Sequence, residues 1–98
     1  MKKTHKKIDN QLRQALTSAC EEIKDTFEKF SWLTHEVNFD NYPQSLQVHC
    51  YFVNYDSMLE CTEQRLDNDI GNIIKSHLEK IKIVNFSPSK QVYFDIEN

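Results

Sequence analysis

The chain reads as a small α+β domain of order αββαβ, and three features of its 98 residues predict it. Two stretches of alternating apolar residues lie between Trp32 and Tyr55. An amphipathic helical pattern flanks them on each side. A last alternating stretch closes the chain. A three-stranded sheet with two helices packed on one face is the layer arrangement that buries all of these faces.

The first helix is predicted over about residues 5–30. Ile8, Leu12, Ala15, Leu16, Ala19, Cys20, Ile23, Phe27 and Phe30 recur at spacings of three and four, which places them on one stripe. Asp9, Arg13, Glu21, Lys24 and Glu28 fill the solvent side. Two strands follow near 32–39 and 45–54, read from their period of two and their aromatic and β-branched content. Leu33, Val37 and Phe39 share one parity; Leu46, Val48, Cys50 and Phe52 share another. The connection Asp40-Asn41-Tyr42-Pro43-Gln44 is short, with a proline that cannot donate to a ladder, so an antiparallel hairpin is expected. Trp32, Thr34, Glu36, Gln47, His49 and Tyr51 then point away from the helices.

The second helix opens at Asp56-Ser57-Met58-Leu59-Glu60, where Ser57 and Glu60 have capping-box spacing. Leu59, Leu66, Ile70, Ile73, Ile74, Leu78 and Ile81 form its stripe. Asp67-Asn68-Asp69-Ile70-Gly71 collects poor helix formers and the chain's only glycine, which predicts a kink or break there. After the turn Ser87-Pro88-Ser89, a strand over 91–96 alternates Val92, Phe94 and Ile96 inward.

Length and composition bound the function. One domain is expected over residues 8–98, preceded by a basic arm over 1–7 that carries Lys2, Lys3, Lys6 and Lys7. Net charge is −3, and beyond that arm eight basic residues face fifteen acidic ones. Such a body argues against broad, nonspecific duplex binding, whereas the arm is suited to phosphates or an acidic partner. Cys20, Cys50 and Cys61 are widely spaced with no CxxC, which fits reduced thiols in the cytoplasm and neither a zinc framework nor a thioredoxin motif. No stretch approaches the apolar length that spans a bilayer, and no signal peptide is visible.

Few residues suggest chemistry. His35 and His49 come near each other if the two strands pair, beside Cys50, but strand alternation turns Cys50 away from His49 and no third ligand has a convincing spacing. No nucleophile elbow, glycine-rich phosphate loop or buried carboxylate pair occurs, so no enzyme, metal, cofactor or small-molecule substrate is expected. Two binding features remain. Trp32 and Tyr51 form a stacking or protein-contact platform on an open sheet, unless Trp32 closes the core edge beside Phe30. Gly71, Asn72 and Lys75 follow the interruption, where a helix N-terminus offers free amides to a phosphate, although Asp67 and Asp69 oppose an anion.

Two resemblances join these readings. Lys3-Thr4, Lys6-Lys7-Ile8, Cys20-Glu21, Trp32-Leu33-Thr34-His35, Tyr42-Pro43, Ser45-Leu46, Val48, Cys50 and Phe52 resemble short bacterial proteins labelled Fis family transcriptional regulator, chiefly over the first half. That label implies DNA binding through a C-terminal helix-turn-helix, from which this chain departs by ending in a strand pattern without a basic recognition helix. The order of elements, with the interrupted helix from Asp69 to Leu78 and the stretch Val92-Tyr93-Phe94-Asp95, is similar to the type II KH-like domain of ribosome-binding factor A. That resemblance implies single-stranded RNA at the glycine turn, although a full GxxG loop is missing. The expected function is therefore a non-enzymatic regulatory or interaction module for RNA or DNA. The alternative is a protein-binding or self-associating domain.

Overall fold

A computed structural model describes residues 3–42 and 44–97, with side chains from Lys6 onward. Helix α1 spans Lys3–Thr26 and strand β1 spans Phe30–Glu36. A short 3-10 turn at Phe39–Asn41 leads to β2, Gln47–Phe52. Helices α2 (Tyr55–Glu63) and α3 (Leu66–Glu79) follow, then a one-turn helix α4 (Pro88–Gln91) that runs into β3, Val92–Ile96. The class is α+β, with helices packed on a three-stranded mixed sheet. Among the described residues no helix is long and apolar enough to cross a membrane.

Strand β2 is central. It pairs antiparallel with β1, as the short connection requires, and parallel with β3. A parallel neighbour needs a long crossover, and α2, α3 and α4 supply it. Along β2, Val48, Cys50 and Phe52 are fully buried, while Gln47, His49 and Tyr51 keep partial exposure on the other face. Leu12, Leu16, Ala19 and Ile23 of α1 and Ile70, Ile74 and Leu78 of α3 complete the core against that inner face. Phe52 anchors it through edge contacts to Phe27 and Phe30 at ring separations of 6.0 and 5.8 Å.

The helical break lies elsewhere than at Asp67–Gly71. Helix α3 runs unbroken through Gly71, and the chain turns at Gln64 and Arg65, the latter in the left-handed region at φ 60. Asp67 and Asp69 occupy the first turn of α3, where acidic side chains favour the helix dipole. Poor helix formers thus mark a start. Gly71 serves close packing instead: a Cβ there would sit 2.8 Å from Cβ of Pro88. The start of α2 also differs from the capping box. Asn54 is the N-cap, its Oδ1 accepting from the Ser57 amide at 2.8 Å, and Glu60 reaches Lys29 instead.

One further boundary is shifted. Because α1 begins at Lys3, Lys6 and Lys7 ride on a helix and not on a separate arm. Lys2 and Pro43 lie outside the described residues, as does the side chain of Lys3. Helix α3 closes with Ile83 N–H on the Leu78 carbonyl and Lys82 N–H on that of Glu79, with Lys82 left-handed at φ 70. This is a Schellman closure, and buried Leu78 and Ile83 give it an apolar contact.

Candidate interaction face

The helices leave one sheet face open, and a local irregularity in β1 decides what that face carries. Phe30 and Trp32 are two residues apart, so regular alternation would put both on the same side. The register shifts between them, which inserts Ser31 as a bulge. Phe30 consequently turns into the core at 3% exposure, and Trp32 turns out at 43%. Trp32 therefore does not close the core edge beside Phe30.

The outward side chains form three rows across the strands. Trp32 lies opposite Tyr51, which pairs with Asp95; Thr34 lies opposite His49, which pairs with Tyr93; Glu36 lies opposite Gln47. Trp32 and Tyr51 stack at 4.2 Å with their planes 20° apart. His49 and Tyr93 stack at 5.3 Å, also at 20°. Glu97, just past β3, donates its backbone N–H to the Phe52 carbonyl and brings its carboxylate over the end of the sheet. There Oε2 accepts from Trp32 Nε1 at 3.2 Å and from Ser31 Oγ at 2.5 Å. The His49 Nε2 atom is buried and has no hydrogen-bond partner among the described residues. None of these outward residues is a lysine or arginine.

The pairing of His35 with His49 does not form. His35 aligns with Val48 and faces the helices, where Nε2 lies 3.5 Å from Asp9 Oδ1; Asp9 also holds Arg13 at 2.8 Å. His49 faces the other way, so the sheet separates the two rings. Burial pushes the Cys50 thiol up to about 12, with Cys20 and Cys61 adding to the effect. Burial also raises Cys61 to about 11, reinforced by Asp67 and Asp69. Both thiols stay protonated at neutral pH, which withholds the nucleophilic thiolate. Among the described residues no three His, Cys, Asp or Glu side chains gather as a metal site. His77 bridges α3 to α1 through Glu22 at 2.9 Å.

The residues singled out from the sequence fall in three places. Trp32 and Tyr51 meet on the open face. Gly71 and Asn72 line a groove of about 770 Å³ between α3 and β3, with Asp67, Asn68, Pro88 and Phe94; Lys75 sits about one turn further along α3. Exposed Lys6 and Lys7 lie near the start of α1. No single surface unites them. Tyr93, Asp95 and Glu97 escaped attention, although their parity opposite Val92, Phe94 and Ile96 already placed them outward.

No protein-family model matches this chain, and neither the curated proteins nor the solved structures contain a match.

Proposed function

We propose that this protein is a small non-enzymatic interaction module whose open sheet face contacts a protein partner. The observation that carries the reading is the composition of that face: two partly exposed aromatic stacks among carboxylates, with no lysine or arginine. Aromatic rings with a polar atom are what protein contact surfaces use, since they bury area while keeping a hydrogen-bond handle. The same face is ill suited to a polyphosphate, because the carboxylates of Glu36, Asp95 and Glu97 would repel it. Three free cysteines accord with a reducing compartment such as the cytoplasm.

A second reading has its own support. The unit β2–α2–α3–β3, with β2 and β3 parallel and a tight turn between the helices, is KH-like in order and accords with the resemblance to ribosome-binding factor A. Single-stranded RNA would then lie in the α3–β3 groove, with bases against Asn68, Asn72 and Phe94 and phosphates toward Arg65 and Lys75. Asp67 and Asp69 oppose that placement. They also oppose α3 as a groove-reading DNA helix of the kind the regulator label implies.

A photo-crosslinking residue at Tyr93 and, separately, at Asn72 tests the two readings in the source cell. The protein-contact reading predicts a nuclease-resistant protein adduct from position 93. A nuclease-sensitive adduct from position 72, with none from 93, would replace it by the RNA reading.

A further inference from the structure

We propose that the open sheet face takes an arginine-bearing basic segment of its partner, a guanidinium lying on the Trp32–Tyr51 stack with Asp95 and Glu97 beside it. The inference rests on the protein-contact reading above and specifies the partner's chemistry. Trp32 keeps 43% of its surface exposed and Tyr93 44%, although each already stacks on a neighbour. An indole is the strongest π acceptor for a cation among side chains, and arginine is the cation most often found there. Glu97 is held in place through Oε2, and Asp95 through Oδ1, which accepts from the Ile96 amide at 2.8 Å. A carboxylate accepts at both oxygens, so each retains one for an incoming donor.

Charge complementarity selects this occupant over the others. A nucleic-acid strand would bring phosphates against three carboxylates with no lysine or arginine among the outward residues. A second copy would set the same acidic face against itself, which costs affinity. An apolar helix would strip water from those carboxylates without giving them partners. A planar guanidinium answers both halves of the surface: it stacks on the rings, it is weakly hydrated, and its forked donors meet carboxylates.

The test uses the full chain and a short fluorescein-labelled peptide of alternating arginine and glycine, with matched lysine and citrulline peptides. Binding is read by fluorescence anisotropy at low salt. The arginine peptide should bind about fivefold more tightly than the lysine one, because only the guanidinium both stacks and forks, and citrulline should bind weakest. Asp95→Asn with Glu97→Gln should weaken the arginine peptide about tenfold while the exposed positions leave the fold intact. Trp32→Leu should weaken it about as much with an unchanged far-ultraviolet circular dichroism spectrum. Equal affinity for arginine and lysine peptides, or indifference to the carboxylate substitutions, would overturn the proposal. If the crosslinker at Tyr93 still yields a protein adduct in that event, the partner's chemistry is wrong and the contact face stands. Failure of both removes the face as well.

Discussion

The two faces of this sheet are both rich in aromatic rings, yet they are built for different ends. Inward, Phe52 meets Phe27, Phe30 and Phe94, rings with no polar atom. Outward, Trp32, Tyr51, His49 and Tyr93 each carry at least one. The inner rings touch at edges and tilts inside a dry core; the outer rings lie nearly parallel and remain partly in water. Strand β2 supplies both sets by simple alternation. Aromatic content therefore does not distinguish a buried face from an open one. The polar handle, and whether helices cover it, does.

The contrast is broken most sharply at Phe52. Phe52→Ala should destabilise the fold by about 3–5 kcal/mol in urea unfolding, the usual cost of truncating a buried phenylalanine. A loss below about 1 kcal/mol would mean that the inner face is not the core.

Alkaline pH probes the same face through Cys50. Its thiol has an ordinary value of 9.0 and is held near 12 when folded. Between those values the unfolded chain loses the proton first, so stability is intact below pH 9 and declines as pH rises toward 12. The decline attributable to Cys50 is about 2–3 kcal/mol at pH 11. Urea unfolding of Cys50→Ala from pH 8 to 11 should show a shallower fall than the parent chain. A parallel fall would place the thiol in contact with water.

Gly71→Ala sets two effects against each other. Alanine gains about 1 kcal/mol in helix propensity, whereas crowding the Pro88 ring costs about 1–3 kcal/mol. The ring is rigid and only 2.8 Å from the added carbon, so a net loss of stability is expected. Increased thermal stability would show that α4 moves away easily. Asn54→Ala, which removes the cap of α2, should cost about 1 kcal/mol by the same measurement. Trp32→Ala closes the series on the outer face. It should cost only about 0.5–1.5 kcal/mol, the worth of an aromatic pair on a surface. A loss as large as that of Phe52→Ala would assign Trp32 to the core after all.

Much of this fold was legible in the residues. The stripe of α1, the hairpin, the inward set Val48, Cys50 and Phe52, and the inward pair Val92 and Phe94 follow from periodicity. So does the outward group Thr34, Glu36, Gln47, His49 and Tyr51. The helical break was misplaced because Asp, Asn and Gly lower propensity equally at a break and at a helix start. Arg65 in a left-handed turn leaves no such mark. Asn54 was overlooked as a cap because Ser57 and Glu60 offered a competing pattern.

Local chemistry, by itself, determined the α+β class and the buried faces of α1, β2 and α3, but not that Leu59 is exposed or that Ile83 and Phe86 join the core. The class and those faces depend on neighbours within a few positions, and periodicity records them. Tertiary structure alone decided that Trp32 faces water, that Glu97 reaches across the sheet to hold it, and that Gly71 admits Pro88. Each depends on a bulge, a strand pairing or an interhelical approach between residues distant along the chain, for which no local pattern carries a signal.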